Sequence, residues 1–272
     1  MRLRRWLSGL LLCGFLATAS SLSAAEEGPI IMAHRGGAKE FEENTLSAFQ
    51  KCYERGLRGF ETDIRMTKDG VLVISHDDSL DRTHQATGSV EEKTAAELKK
   101  VVTKQGEPLL FLDDLLAYFA DKPGVYLELE MKTSNKQLYP DERIDAYCDA
   151  LYKAATAKEP EGSTYVFTSF DERPLKQIRK INDQAEILLI RSQPCSAEFV
   201  QAAKALGAKR IGCRIEGTSR AAVQEAQKEG LIVSCWPGRS VQDYYMALGL
   251  GIQIHCTDIP TVIQGVKEKL PQ

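Results

Sequence analysis

The sequence predicts a (β/α)8 barrel of the TIM type, an α/β fold, and three observations lead to this prediction. The chain has 272 residues, of which 43% are hydrophobic and 27% charged, a composition typical of a globular protein. A single barrel of this class commonly contains about 250 residues. Short β-branched or apolar segments alternate with longer amphipathic segments, and no linker or internal repeat divides the chain.

Nine segments have the pattern of β-strands. They are residues 30–33, 59–66, 71–75, 125–131, 164–169, 186–190, 210–214, 231–235 and 253–256. Helical periodicity lies between most of them, for example over residues 45–55, 141–157, 173–183, 196–206, 220–228 and 241–247. This alternation indicates parallel strands joined by helical crossovers.

Nine strands are one too many for an eight-stranded barrel, and the surplus lies near the second. Only Thr67-Lys68-Asp69-Gly70 separates the segments 59–66 and 71–75. Four residues with Asp-Gly can close a hairpin, whereas a parallel crossover needs about a dozen. Segment 71–75 is therefore predicted to be an extra antiparallel strand beside the barrel mouth. Residues of about 77–108 are predicted to be a polar insertion covering the mouth, partly helical around residues 94–102.

The first 25 residues predict a cleaved signal peptide. Three arginines precede an apolar run over residues 6–18, and the small residues Ser23-Ala24-Ala25 follow. Because the run is shorter than the ~20 residues needed to span a bilayer, a retained membrane anchor is the less favoured alternative. The expected barrel domain is therefore 26–272, exported to the periplasm or the medium, with no stable membrane insertion after cleavage.

Charge and cysteine spacing argue against two classes of function. The chain carries 35 basic and 38 acidic residues, a formal net charge of −3, which disfavours nucleic acid as a partner. Six of the seven cysteines lie beyond the predicted signal peptide, and their spacing matches no zinc framework. They are interpreted mainly as small buried side chains, although an exported protein also permits disulfides.

Polar residues end the first strand, in the order His34-Arg35-Gly36-Gly37. Barrels of this class have their active sites at the carboxyl ends of the strands. A guanidinium next to glycines, where the backbone can approach a ligand closely, suits a phosphate oxygen. An ordinary strand end with a surface salt bridge is an equally favoured alternative for this motif alone.

Carboxylates are spaced so that they share inward faces. Glu61 and Asp63 are two apart on one strand, and Glu128, Glu130 and Lys132 share one face of another. The alternate positions of that second strand are apolar and must pack against the outer helices, so the charged side chains face the barrel axis. Buried charges need partners, and carboxylates of this kind suit Ca²⁺ or Mg²⁺.

His76 follows the extra hairpin strand, and the predicted register brings it level with Glu61. Two histidines, His34 and His76, near a metal allow one to act as general base and the other as general acid. A lone histidine at a strand end is more often structural. His84 and His255 have no such company and are interpreted as a loop residue and a strand residue.

Taken together, these segments resemble the glycerophosphodiester phosphodiesterase family, over nearly the whole chain after residue 25. The matching segments, in order, are His34-Arg35-Gly36, Glu43-Asn44-Thr45, Glu61-Thr62-Asp63, Thr67-Lys68-Asp69-Gly70, His76-Asp77, Leu80-Asp81-Arg82-Thr83 with Gly88, Glu130-Met131-Lys132, Ser169-Phe170, Trp236 and Thr257-Asp258-Ile259-Pro260.

The resemblance implies a barrel of the phospholipase-C-like phosphodiesterase type that hydrolyses small glycerophosphodiesters to glycerol 3-phosphate and an alcohol. It implies the following roles: Glu61, Asp63 and Glu130 hold one divalent cation, Ca²⁺ or Mg²⁺; His34 and His76 are the acid–base pair; Arg35 and Lys132 bind the phosphate; Trp236 binds substrate. Where many members continue with Thr-Val-Asn, this chain has Pro237-Gly238-Arg239, which is expected to change the pocket rim and place a basic group near the alcohol.

Two alternatives stay open at this point. A phospholipase acting on phosphatidylinositol or lysophospholipids shares the barrel and the paired histidines, but it needs an exposed apolar rim, which the polar insertion does not indicate. A barrel that binds anions without catalysis is the other alternative. A metal-dependent amidohydrolase is disfavoured because those barrels use a His-x-His pair.

Overall fold

The computed structural model of the protein describes residues 28–270. The predicted signal peptide, residues 1–25, lies outside this range. No helix of the described part is long and apolar enough to cross a membrane. The helices and strands alternate along the chain as predicted, and their bounds follow.

The strands are β1 Ile30–His34, β2 Gly59–Met66, β3 Leu72–Ile74, β4 Tyr126–Met131, β5 Thr164–Ser169, β6 Ile187–Ile190, β7 Arg210–Arg214, β8 Ile232–Gly238 and β9 Ile254–Thr257. The helices are α1 Leu46–Glu54, α2 Ala95–Leu98, α3 Leu112–Phe119, α4 Asp141–Ala157, α5 Glu172–Ile181, α6 Ala197–Ala205, α7 Arg220–Lys228, α8 Val241–Leu250 and α9 Pro260–Lys267. The helix α3, between β3 and β4, and the last helix, α9, were not among those singled out from the sequence.

Eight parallel strands close into a barrel, which confirms the predicted fold. The strand order is β1-β9-β8-β7-β6-β5-β4-β2-β3, and β1 also pairs with β2. The extra strand β3 pairs antiparallel with β2, with Arg65 opposite Val73. The connecting turn is stabilised by Thr67, whose hydroxyl donates to Asp69 and accepts from the Val71 amide.

Side chains of the barrel strands point alternately outward, toward the helices, and inward, toward the barrel axis. On β4, Leu127, Leu129 and Met131 point outward into the layer between sheet and helices, while Glu128 and Glu130 face the barrel interior, as predicted. A smaller apolar cluster fills the interior below these charges: Met32, Tyr126, Val166, Leu188, Ile190, Ile254 and Cys256. The open pocket of the barrel lies above this cluster, at the carboxyl ends of the strands.

The insertion over residues 77–108 has a small core of its own. Its helical part is Ala95–Leu98, shorter than the predicted 94–102, with two short 3-10 turns before it. The helix ends early because the β-branched residues that follow form isolated bridges, Val102 with Pro108 and Thr103 with His84. Its apolar side chains Leu80, Val90, Ala95 and Leu98 form one cluster with Val73 of β3 and with Leu109 and Phe111, which follow the insertion.

The six cysteines after residue 27 are buried, and no disulfide joins them in the described structure. This agrees with their interpretation as small buried side chains. His84 lies in the insertion and His255 within β9, as predicted.

Candidate active site

The pocket at the carboxyl ends of the barrel strands collects the residues predicted for the site. Those that line it are His34, Arg35, Glu61, His76, Glu130, Lys132 and Trp236. The remaining predicted residue, Asp63, is fully buried behind them, with its Oδ1 3.5 Å from Lys132 Nζ. Residues far apart in the sequence therefore meet at one end of the barrel.

Three buried carboxylates form the centre of this pocket. Glu61 and Asp63 lie on one face of β2, and the register of the neighbouring strand places Glu130 beside Asp63. One oxygen from each of the three carboxylates lies within 4.8 Å of the others. The two-residue period of a strand, which the sequence shows directly, therefore builds a set of three oxygen ligands.

Two cations border the carboxylates. Lys132 Nζ donates to Glu130 Oε1 at 2.7 Å, and Arg35 Nε lies 3.5 Å from Asp63 Oδ2. The backbone amide of Arg35 donates to Glu61 Oε2 at 3.0 Å. Three carboxylates against two cations leave one negative charge in excess, which favours binding of a further cation.

The electrostatic environments of the two acids on β2 differ. Burial, together with the neighbouring Asp63 and Glu130 carboxylates, raises the pKa of Glu61 well above its usual value. Burial also acts to raise the pKa of Asp63, but the charge of Lys132 and other nearby cations outweighs it and holds that pKa below its usual range. These opposite pKa shifts indicate that Glu61 and Asp63 do not readily ionise together unless a cation lies between them.

The oxygens that lack partners point to where a cation fits. Glu61 Oε1 and Asp63 Oδ1 are buried and accept no hydrogen bond from any described residue. Buried carboxylate oxygens without donors are costly, and bound metal ions relieve that cost. Because Ca²⁺ and Mg²⁺ prefer oxygen ligands, the three carboxylates fit a hard divalent cation.

His34 is held by a carboxylate from the other end of the chain. Its Nδ1 lies 2.5 Å from Asp258 Oδ1, and its Nε2 lies 3.8 Å from Glu61 Oε2. Asp258 directly follows β9, the strand beside β1 in the barrel. The contact fixes the ring so that Nε2 faces the carboxylate cluster.

His76 has a similar arrangement. Its Nδ1 lies 2.7 Å from Asp77 Oδ1, and the guanidinium of Arg82 binds both Asp77 and Glu43. Arg65 donates to the backbone carbonyl of His76 at 2.8 Å, which fixes the chain behind the ring. Asp77 thus orients the His76 ring, and Arg65 holds its backbone.

The predicted register of His76 is wrong by one residue. The β2–β3 ladder pairs Ile64 with Ile74, and the Ser75 amide donates to the Asp63 carbonyl. Continuing that ladder would place His76 opposite Thr62 rather than Glu61. The strand in fact ends at Ile74, because the chain bends there into the insertion, and the ring still reaches the pocket.

Asn44, Asp77 and Asp258 lie in segments that resemble the family, and the sequence alone predicts no role for them. Asn44 donates from Nδ2 to Asp63 Oδ2 at 2.9 Å and accepts from the Thr62 hydroxyl. Its φ of 58° is in the left-handed region, where asparagine is enriched among non-glycine residues. Asp258 carries the same signal as His34, a polar residue at the carboxyl end of a strand, but that signal alone assigns it no role.

Glu128 was predicted to face inward beside Glu130, and it lines the same pocket. The hydroxyl of Tyr126 donates to its Oε1 at 2.6 Å. Burial raises the pKa of Glu128 to about 7. It is thus a buried polar group of the barrel interior, outside the set of three carboxylates.

Aromatic and basic side chains form the rim. Trp236 meets Phe170 edge to face, with ring centroids 5.6 Å apart. Arg239, which the sequence placed at the rim, also lines the pocket, and its Nε lies 3.5 Å from Asp258 Oδ2. The expectation of a basic group at this position agrees with the structure.

Comparison with known proteins shows similarity to phosphodiesterases. A glycerophosphodiester phosphodiesterase of Caldanaerobacter subterraneus is 32% identical over 168 residues, covering 59% of this chain and 66% of that protein. A probable glycerophosphodiester phosphodiesterase 1 of Mycobacterium tuberculosis is 27% identical over 241 residues, covering 82% and 87%. An uncharacterized Bacillus subtilis protein is 36% identical, with the match spanning 38% of this chain and 45% of that protein. The match thus covers less than two thirds of the length of the Caldanaerobacter protein and of the Bacillus protein.

Solved structures share the fold over most of both chains. A putative glycerophosphoryl diester phosphodiesterase from Silicibacter pomeroyi superposes with a TM-score of 0.80 at 23% identity, covering 88% of this chain and 93% of that one. An Oleispira antarctica phosphodiesterase, solved with the product sn-glycerol-3-phosphate, gives 0.81 at 20% identity, covering 89% and 97%. The model of the glycerophosphoryl diester phosphodiesterase family matches residues 34–262. The chain belongs to the glycerophosphoryl diester phosphodiesterase family.

Proposed function

We propose that the protein is a phosphoric diester hydrolase that converts small glycerophosphodiesters to glycerol 3-phosphate and an alcohol. Family membership and the names of the relatives support this activity. The observation that carries the mechanism is the position of His34 and His76, each held by its own carboxylate, around a cluster of three buried carboxylates. This arrangement supplies an acid, a base and a cation site in one pocket.

Glu61, Asp63 and Glu130 are proposed to hold one divalent cation, Ca²⁺ or Mg²⁺. Such an ion neutralises charge on a phosphodiester and on the pentacoordinate state derived from it. Arg35 and Lys132 lie beside the same carboxylates, within 3.5 Å of Asp63, and are proposed to bind the non-bridging phosphate oxygens. Their fixed positive charges also orient the diester toward the histidines.

The two histidines are proposed to move the protons of the reaction. In both rings Nδ1 faces a carboxylate, which leaves Nε2 free to exchange a proton with substrate. One Nε2 accepts the proton of the attacking nucleophile, which is water or the neighbouring glycerol hydroxyl. The other donates a proton to the oxygen of the leaving alcohol, so that no alkoxide is released. Attack by the glycerol hydroxyl forms a cyclic phosphate, which water then opens to glycerol 3-phosphate with the two histidines exchanging their roles.

The test is turnover of glycerophosphoethanolamine by the purified protein and by His34→Ala and His76→Ala, each supplied with Ca²⁺ or Mg²⁺. We expect each variant to lose about 10²-fold or more in kcat. His84→Ala, altering a histidine outside the pocket, serves as the control and should retain activity. Wild-type turnover by His34→Ala, or hydrolysis of lipid vesicles in preference to the soluble diester, would contradict the proposal.

We further propose that residues 1–25 are removed during export and that the barrel domain acts outside the cytoplasm. The support is the order of charged, apolar and small residues in that segment. The measurement is the mass of the protein recovered from the periplasm or medium of expressing cells. A mature amino terminus at Glu26 is expected, and full-length protein confined to the cytoplasm would contradict the proposal.

A further inference from the structure

The pocket changes in character from floor to rim. At the floor, the carboxylates of Glu61 and Glu130 are almost completely buried. At the rim, the Phe170 side chain is exposed and that of Arg239 is 62% exposed. A diester bound with its phosphate at the floor therefore presents one of its two alcohol groups to these outer residues.

One face of the rim tryptophan is already covered by a positive charge. The guanidinium carbon of Arg214 lies 5.2 Å from the centroid of the Trp236 ring. Aromatic rings facing each other are the usual binding surface for quaternary ammonium groups. Here the Arg214 guanidinium, which is paired with Glu216 at 3.0 Å, occupies one face of the ring, so that face is not open to a cationic alcohol group.

The guanidinium of Arg239 has N–H donors that are available to bind a substrate. Its backbone amide donates to Asp243, which fixes the start of the side chain at the pocket edge. In the described part of the chain the guanidinium forms one ion pair, with Asp258 at 3.5 Å, and that carboxylate is already bonded to His34 at 2.5 Å. Within residues 28–270 the Arg239 side chain donates no hydrogen bond closer than this contact, so its planar fork is available to a carboxylate or phosphate.

We propose that Arg239 is a specificity-determining residue that favours diesters whose alcohol group carries an anionic substituent over diesters whose alcohol group is purely cationic. The inference rests on the proposed phosphodiesterase activity and names the substrate class within it. A guanidinium paired with a carboxylate at a half-exposed site contributes about fivefold in binding, which sets the size of the expected preference.

The test compares two substrates that differ by a single carboxylate, glycerophosphoserine and glycerophosphoethanolamine. The measured quantity is the ratio of their kcat/KM values, because any effect of Arg239 on His34 through Asp258 is common to both substrates and cancels. We expect a ratio of about five in favour of the serine diester for the full protein. Arg239→Gln is expected to bring the ratio close to one, and Arg239→Lys to retain most of it.

Arg191→Gln is the matched control. Arg191 follows β6 at the same edge of the barrel, but it pairs with Glu172 and packs over Phe199 outside the pocket. Its replacement should leave the ratio unchanged. Turnover of both diesters with a ratio near one, or a ratio that Arg239→Gln does not alter, overturns this inference alone. Absence of turnover of either diester with cation present contradicts the proposed activity as well.

Discussion

At the residue scale, the carboxylates behind the two histidines differ in burial and in their other partners. Asp258 is largely buried and contacts His34 at 2.5 Å, with Arg239 more distant at 3.5 Å. Asp77 is more exposed and shares its charge between His76 and Arg82. A carboxylate stabilises the protonated ring most when it is buried and has no competing cation. The two positions should therefore differ in their importance for proton transfer.

We expect Asp258→Asn to lower kcat by about 10²-fold, because the amide keeps the shape but no longer stabilises protonated His34. Asp77→Asn should lower kcat by only about tenfold, since solvent and Arg82 already weaken that interaction. Urea unfolding separates this role from a structural one: Asp258→Asn should lose kcat while its free energy of unfolding stays close to that of the wild type. Asp243→Asn, which alters another acid contacting Arg239, is the control and should leave kcat unchanged. Equal losses in the two histidine-partner variants would contradict this ranking.

At the element scale, the end of β8 depends on a position without a side chain. A Cβ at Gly238 would lie 2.5 Å from the His255 ring and 2.9 Å from the Cys256 carbonyl oxygen. The Gly238 carbonyl accepts from the Asp258 amide and from the Thr257 hydroxyl. This glycine therefore determines how closely β8 approaches β9, and with it the placement of Asp258.

Gly238→Ala is expected to lower the free energy of unfolding by about 2 kcal/mol, because the buried ring and the backbone must both shift. Gly265→Ala is the matched control, since it lies in α9 with open space around it, and alanine there should be neutral or stabilising by up to about 1 kcal/mol. Urea unfolding of both variants measures the difference. Equal stability of the two would show that β8 and β9 have more freedom than the contacts indicate.

The same scale shows which features of the molecule a sequence can predict. The alternation of Glu61 with Asp63, and of Glu128 with Glu130, is local, so the inward faces follow from a two-residue period. The extra strand β3 follows from a turn too short for a crossover. The partnership of Asp258 with His34 joins residues 224 apart, and only closure of the barrel brings them together. The register of His76 depends on the β2–β3 turn: Met66 pairs with Leu72, so the turn has five residues instead of the four predicted, and every later position on β3 shifts by one.

At the scale of the whole molecule, electrostatic repulsion among buried carboxylates is concentrated at one end of the barrel. Three carboxylates lie within 4.8 Å of one another, and two of their buried oxygens have no hydrogen-bond partner among the described residues. Such a cluster destabilises the folded state relative to the unfolded chain, where each acid is solvated. A cation that binds the folded state alone should therefore stabilise the entire fold.

We expect Ca²⁺ or Mg²⁺, added to chelator-treated protein, to raise Tm by about 5–10 °C. A ligand at a hundred times its Kd stabilises the folded state by about 2.7 kcal/mol. Each kcal/mol raises the Tm of a protein of this size by about 2–4 °C. Glu61→Gln should abolish most of this shift by removing one ligand and its charge. Glu216→Gln, which alters an exposed acid paired with Arg214, is the control and should respond as the wild type does. Differential scanning fluorimetry with and without EDTA measures the shift, and it requires no substrate. A Tm that neither cation changes would mean that Lys132 and Arg35 alone neutralise the cluster.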